Sequence, residues 1–235
     1  QKEALEYLIK IGEEKEPIVD LPQGTYSRVN LTRITAPVAN TLTVSTLTGL
    51  VDYIKGNVDN LKGELLIQID SYKRVRLFSP LNEDKDRELY IEAKAILPDN
   101  VRYDQFLSTE MFNIMLQSSF VDVGDKKVLL KYTGLVKDEA VKELGDDGIK
   151  QQVTIKTGVA SVNQAEVPNP VQLAPFRTFV EVEQPISKFI FRMKNGPSAA
   201  IYEADGGAWR NEAIKNIKDY LQKELKGFPS IKIIA

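Results

Sequence analysis

The most distinctive residues that could do chemistry are an acidic pair followed by two glycines, in the segment that ends at Trp209. Glu203 and Asp205 are oxygen ligands of the kind that Mg²⁺ or Mn²⁺ prefers. The alternative is structural: Asp205 lies next to the N-cap of a helix, and Gly206 and Gly207 form a tight turn with φ > 0. We expect the structural role, with Trp209 in the core, and keep a metal site as the weaker hypothesis.

A second candidate is a short basic and aromatic cluster. Lys73, Arg74 and Arg76 follow Tyr72 on one predicted strand. Such a mixture can follow a nucleic-acid backbone and stack on its bases. The alternative is an exposed strand face whose charges discourage pairing at the sheet edge. The cluster therefore supports nucleic-acid binding only weakly.

The composition narrows the chemistry further, because the 235 residues include no histidine and no cysteine. Histidine is the side chain whose ordinary pKa lies near neutrality, and cysteine supplies thiolates. A zinc site built on sulfur or imidazole is excluded. The sequence also lacks a P-loop, a dinucleotide-binding glycine motif and a nucleophile elbow. We predict no cofactor and favour a binding or assembly protein over an enzyme.

Charge and hydropathy suggest where the protein works. The net charge is -2, so the total field does not predict a nucleic-acid partner. No apolar run approaches the roughly 20 residues that span a bilayer, and no signal peptide is recognised. We predict a cytoplasmic protein that does not bind membranes.

Alternating apolar residues predict a first meander. The expected strands cover residues 64–70, 74–79 and 87–97, and a helix is expected over residues 103–120. The prediction is a three-stranded antiparallel sheet with this helix packed on one face.

The same order recurs near the C-terminus. Strands are expected over residues 177–183, 188–193 and 199–204, followed by a helix over residues 208–225. The helix carries an apolar stripe at i+4 spacing: Trp209, Ala213, Ile217, Leu221 and Leu225. The preceding meander is the nearest apolar surface, so we expect the stripe to pack there. A structural duplication is one explanation, and a common α+β arrangement is the other.

A long hairpin is expected between the two modules. Asp147 and Gly148 form the turn signal between β-capable runs over residues 136–144 and 149–157. Residues 159–175, with three prolines, suggest an extended connector.

The predicted fold class is α+β, with two antiparallel meander-plus-helix modules, the additional hairpin, and helices packed on the sheet faces. The proposed divisions are residues 1–60 (a helix, strands and a short helix), 61–132 (the first module), 133–170 (hairpin and connector) and 171–235 (the second module), and the alternative is a single domain.

One resemblance adds context. The run LAPFRTFVEVEQPISKFIFR at residues 173–192, EADGGAW at residues 203–209, and DDGIKQQVTIKTG at residues 146–158 resemble a family of uncharacterised proteins encoded by phages and prophages. The match lies mainly in the C-terminal half. The resemblance implies a viral or prophage product working in a bacterial cell, and it implies no catalytic residue.

The leading functional hypothesis is a non-enzymatic accessory protein that binds a protein partner and self-associates. One rival is binding of single- or double-stranded nucleic acid through Tyr72, Lys73, Arg74 and Arg76. A second rival is nucleotide or small-molecule sequestration, or a carboxylate-metal hydrolase, centred on Glu203, Asp205 and Arg210.

Overall fold

The computed structural model describes residues 2–6, 18–22, 24–27, 39–82, 85–135, 143–146, 151–157, 161–166, 168–194, 196 and 198–235. The chain divides into two compact units, Gln1–Ala39 and Asn40–Ala235. In the first unit, helix α1 covers residues 2–6, and strands β1 (Ile18–Leu21) and β2 (Gly24–Ser27) pair antiparallel. The rest of this section concerns the second unit.

The larger sheet has five strands in the order β14-β4-β5-β6-β3. The bounds are Leu42–Val44 for β3, Leu65–Ser71 for β4, Arg74–Phe78 for β5, Leu89–Lys94 for β6 and Ile231–Ile234 for β14. The antiparallel pairing of β4, β5 and β6 confirms the first predicted meander. The outer strands β14 and β3 pair parallel to β4 and β6, so the sheet is mixed.

The smaller sheet is antiparallel, in the order β11-β12-β13-β7. The bounds are Leu107–Ser108 for β7, Val171–Leu173 for β11, Ser187–Lys194 for β12 and Ser198–Glu203 for β13. The second and third strands of the second predicted meander are therefore confirmed. The strand predicted over residues 177–183 is wrong, and β11 holds that place in the sheet.

A glutamine explains why residues 177–183 form a turn instead. The Gln184 side chain accepts from the backbone N–H groups of Arg177 and Thr178, and its Nε2 donates to the carbonyls of Phe179 and Val182. These buried backbone groups thus find side-chain partners and need no neighbouring strand.

Within the described part of the second unit, four helices cover the sheets: α2 (Leu47–Gly56), α3 (Thr109–Ser119), α4 (Lys126–Leu135) and α5 (Trp209–Glu224). Thr46 caps α2 by accepting from Gly49 N at 3.0 Å. Ser108 caps α3 by accepting from Met111 N at 3.3 Å. Both caps satisfy a backbone donor that a helix start leaves free.

Helices α3 and α5 each pack on the other sheet from the one that the sequence predicts. Ile217, Leu221 and Leu225 of the α5 stripe lie in one core with α2 and the larger sheet. The core of the smaller sheet instead contains Phe112 and Leu116 of α3. The reason lies in the neighbouring strands: β7 joins the smaller sheet directly before α3, and β14 joins the larger sheet directly after α5. Each module thus places its helix on the other module's sheet.

The described part of the predicted hairpin pairs as expected, although only residues 143 and 144 of the first predicted strand lie within the described residues, and Gly145 and Asp146, expected in the turn, belong to the strand. Strand β8 (Glu143–Asp146) pairs antiparallel with β9 (Gln151–Thr157), and β10 (Ser161–Glu166) adds a third strand beside β9. The predicted turn residues Asp147 and Gly148 lie outside the described residues. The connector expected over residues 159–175 contains β10 and β11, so part of it is strand.

The fold class is α+β, as predicted. Within the described residues, no helix combines the length and apolar character needed to cross a bilayer.

Candidate functional site

The turn between β13 and α5 has the structural geometry that the sequence suggested. Asp205 Oδ1 accepts from Gly207 N at 3.0 Å, and Oδ2 accepts from Trp209 N at 3.2 Å. Gly206 and Gly207 have φ of +63° and +82°, a region that glycine enters without a Cβ clash. The N-cap itself is Ala208, so Asp205 acts from three residues upstream and still reaches the first residue of the helix.

The second member of the acidic pair, Glu203, contacts a buried arginine. Arg177 Nη1 donates to Glu203 Oε1 at 2.9 Å. Arg177 Nη2 donates to Ser187 Oγ at 2.7 Å and to the Pro185 carbonyl at 3.2 Å. Burial lowers the pKa of the Arg177 guanidinium from its ordinary value, while the nearby Tyr103, Glu203 and Asp205 act in the opposite direction.

Both candidate metal ligands therefore have donors from their own chain. No group of three or more acidic side chains that could hold a metal ion occurs among the described residues. A cation at Glu203 and Asp205 would compete with the Arg177 guanidinium and with the backbone N–H groups of Gly207 and Trp209. The contacts favour the structural interpretation of this pair.

The Trp209 ring lies beneath the Arg177 guanidinium. These two residues and three neighbours form what we call the Arg177 cluster: Arg177, Trp209, Tyr72, Glu203 and Tyr103. The guanidinium carbon is 4.0 Å from the indole centroid, and Tyr72 meets the indole edge-on at 4.8 Å. Trp209 is 5 % exposed, which confirms the prediction of a buried indole. The sequence does not indicate the stacking of Arg177 on Trp209, because the two residues lie far apart along the chain.

Tyr103 completes the cluster from the side of the smaller sheet. Its ring stacks on Phe189 with centroids 5.8 Å apart. Burial, the largest cause, raises the pKa of the Tyr103 hydroxyl to about 12. The cluster therefore joins the β4–β5 turn of the larger sheet to β12 and β13 of the smaller one.

An open groove of about 760 Å³ borders this cluster. Its charged lining residues are Glu183, Asp205 and Glu212, opposed by Lys188. Ser187 is the one hydroxyl among the described residues that line it, and its Oγ accepts from Arg177. A serine nucleophile needs a base to take its proton, and the arginine is a donor, so this geometry does not form a nucleophile–base pair.

The structure separates the predicted nucleic-acid residues. Tyr72 packs on Trp209 in the Arg177 cluster, and the Lys73 ammonium lies 5.7 Å from the centroid of the Tyr72 ring. Arg74 pairs with Glu92 at 3.1 Å, on the face of the larger sheet opposite its helices.

The other cations on that face of the larger sheet also form ion pairs with acidic residues. Arg76 contacts Asp70 at 2.7 Å, and Lys94 pairs with Glu92. These ion pairs lower the net positive charge of the surface. They therefore favour the interpretation of these residues as an exposed strand face over their interpretation as a nucleic-acid-binding site.

A different basic surface appears on the smaller sheet. Strand β12 turns Phe189, Phe191 and Met193 into the core. The alternate residues Lys188, Arg192 and Lys194, which we call the basic row, therefore lie on the opposite face. The signal was present in the sequence, as cations alternating with the apolar residues of one strand.

Comparison with protein-family models, curated proteins and solved structures gives no match to this chain. The resemblance to phage and prophage proteins therefore depends on the three sequence segments alone.

Proposed function

We propose that this protein is a non-enzymatic accessory protein of the phage or prophage type, which works by partner binding and self-association. The observation that carries the self-association is the open edge of β14. This strand is the outer strand of the larger sheet and pairs with β4 on one side. No other strand among the described residues lies along its second side, so its backbone groups there are free to pair with another chain.

The sequence of β14 suits pairing with a second copy. Three of its four residues are isoleucine, and β-branched residues favour strands. A two-fold interface places the same strand on both sides. Antiparallel pairing centred on Ile233 sets Lys232 opposite Ile234, whereas pairing centred on Lys232 would set two like charges opposite each other. We therefore propose the register centred on Ile233.

A recess beside the strand offers space for the partner. It measures about 300 Å³ and lies between the end of α5 and β14, lined by Gln222, Leu225, Ile231, Lys232 and Ile233. In the proposed register the partner's Ile233 meets this edge. A short strand pair buries less than the roughly 1,200 Å² of a standard stable interface, so we expect a concentration-dependent dimer of micromolar affinity.

Sedimentation equilibrium across micromolar concentrations tests the proposal with a charge pair. Ile234 is 49 % exposed, so its substitution leaves the core intact. Ile234→Lys places a lysine opposite the partner's Lys232 twice in each dimer, and Ile234→Glu places a glutamate there. With about 0.2–1 kcal/mol for each cross-strand pair, we expect weaker association for the first variant and stronger association for the second.

The matched control is Ile96→Lys, at an isoleucine that is 78 % exposed and outside the larger sheet's strands. It should associate like the parent protein. A monomer at all concentrations would overturn self-association. Equal dimer affinity of the lysine and glutamate variants would overturn the β14 register.

A further inference from the structure

We infer that the groove beside the Arg177 cluster binds an extended peptide segment that carries an arginine side chain. One wall of this groove of about 760 Å³ is a face of helix α5, formed by Trp209, Glu212 and Asn216. These residues recur at three- and four-residue spacing, so they share one side of the helix. At 1.5 Å per residue the wall is about 10 Å long, which matches roughly three residues of extended chain. The inference rests on the partner binding proposed above and names the kind of partner, on a surface other than β14.

Two carboxylates of the groove are available to a cation. Asn216 Nδ2 donates to the carbonyl of Glu183 at 2.9 Å, which holds that residue beside α5, one helical turn from Glu212. Both glutamates are exposed. The Glu212 carboxylate has a 3.9 Å contact with Lys215, an exposed ion pair that contributes little. Neighbouring carboxylates repel each other, and the planar guanidinium of an arginine can donate to both.

The other charges near the groove leave it acidic. Asp205 adds a third carboxylate to the lining, against the single ammonium of Lys188. Asp205 already accepts from the backbone at the start of α5, so it contributes charge more than contact. Arg210 lies 4.9 Å from the indole centroid and does not line the groove. It is two positions from Glu212 on the helix, and residues at that spacing do not face each other. A cationic occupant complements this lining.

A buried donor favours a peptide over a simple cation. Trp209 is 5 % exposed and lines the groove, yet its Nε1 meets no acceptor among the described residues. A buried N–H without an acceptor costs free energy. A backbone carbonyl of a bound peptide supplies that acceptor, directly or through one bridging water. A metal ion or a polyamine carries no such oxygen.

The turn before β12 supplies apolar surface for the rest of the occupant. Pro185 and Ile186 line the groove, and Ile186 is 49 % exposed. An arginine packs its aliphatic stem on such surface while its guanidinium stays with charged groups. The groove therefore combines apolar contact, a donor for a carbonyl, and carboxylates for the guanidinium.

The test is fluorescence anisotropy with a labelled, end-blocked peptide of five residues, in which a central arginine lies between two isoleucines. The matched control peptide carries citrulline at the centre, which keeps the shape of arginine and removes its charge. At 50 mM salt the parent protein should bind the arginine peptide at least tenfold more tightly than the citrulline peptide. This preference should shrink as salt rises, because the two glutamates are exposed. The emission of Trp209, the single tryptophan, should change on binding.

Two variants separate the charge from the donor. Glu183→Gln combined with Glu212→Gln should reduce the preference for arginine to less than threefold. Trp209→Phe keeps an aromatic ring beside Arg177 and removes the N–H, so it should weaken the binding of both peptides by a similar factor and leave the preference unchanged.

The matched control variant is Glu64→Gln combined with Glu110→Gln. It makes the same change in charge at two exposed glutamates outside the groove, and Glu110 lies in the first turn of α3 as Glu212 does in α5. It should bind like the parent protein, and thermal melts should show all variants folded at the assay temperature.

Equal affinity of the parent protein for the two peptides would overturn the inference. Equal loss of affinity in the two double variants, or tighter binding of spermine than of the arginine peptide, would overturn it as well. Unchanged affinity of Trp209→Phe would overturn the role of the indole N–H. Ile234→Lys should bind the arginine peptide like the parent protein, so peptide binding and the β14 dimer can fail separately.

Discussion

Arg177 shows how one side chain can hold two sheets in place. It is 5 % exposed, yet it donates to Glu203, Ser187 and the Pro185 carbonyl while its face covers Trp209. Moving a charge out of water is costly, and good geometry with several hydrogen bonds is needed to offset that cost. The arginine fork meets this requirement better than a lysine ammonium would, because it donates in several fixed directions.

Glu92 gives a prediction at the same scale. Its carboxylate accepts from Lys94, the largest cause of its lowered pKa, and it also pairs with Arg74. A lowered pKa in the folded state means that the unfolded state binds more protons, so stability rises with pH. This contribution is present above the ordinary glutamate pKa of about 4.3 and is lost as pH falls through the lower folded value.

Glu92→Gln should therefore unfold more easily at pH 7, by about 1–3 kcal/mol for a hydrogen-bonded charge. Urea unfolding at pH 7 and at pH 3 measures the difference, which should shrink at the lower pH. Glu64→Gln, at an exposed position before β4, is the control and should match the parent protein. A Glu92→Gln deficit of the same size at both pH values would contradict the prediction.

The residue scale also shows what a sequence can reveal. The contacts of Asp205 were predictable because its partners, Gly207 and Trp209, lie within four residues. The contact of the Arg177 guanidinium with the Trp209 ring depends on how the turn after β11 meets the start of α5, which periodicity does not encode. The ion pairs of Arg74 were missed for the same reason.

At the scale of elements, the exchange of helices can be tested by energetic coupling. Ile217 of α5 lies in the core of the larger sheet with Ile67 of β4, whereas the sequence prediction placed it on the smaller sheet. Ile217→Ala should cost about 2–5 kcal/mol through the lost burial and the cavity. Substitutions at residues that contact each other show a coupling energy of about 0.5–3 kcal/mol, whereas the destabilisations caused by substitutions at distant residues simply add.

A double-mutant cycle measured by urea unfolding makes the comparison. Ile217→Ala should couple with Ile67→Ala and add independently to Phe191→Ala, whose side chain lies in the other core. Coupling of Ile217 to Phe191 instead would restore the arrangement that the sequence suggested.

Periodicity succeeded wherever one face of an element is buried. The alternation in β4, β5 and β12 and the i+4 stripe of α5 each follow from local geometry. The stripe does not identify its partner, since any apolar surface satisfies it. The short strands β7 and β14 were missed because a few residues give too little alternation, and those two strands direct the helices to opposite sheets.

At the scale of the molecule, two cores belong to one compact unit that spans Asn40–Ala235. Each sheet depends on a helix from the other half of the sequence. The Arg177 cluster adds contacts between them, since Thr178 Oγ1 donates to the Tyr72 carbonyl and Tyr72 meets Trp209. The predicted division into residues 61–132, 133–170 and 171–235 stays a hypothesis about which parts unfold separately.

Native-state hydrogen exchange can decide whether the two cores open together. The slowest amides within one cooperative unit exchange with the same opening free energy, whereas independent units have different opening free energies. Because the helices are exchanged, we expect the amides of β4 and β12 to share the same opening free energy. Fluorescence of Trp209, the single tryptophan, should follow the same urea transition. Arg177→Ala should lower the opening free energies of both strands by about 1.5–3 kcal/mol, since it removes the charged hydrogen bonds to Glu203, Ser187 and the Pro185 carbonyl. Separate free energies for β4 and β12 in the parent protein would show instead that the sheets unfold as independent modules.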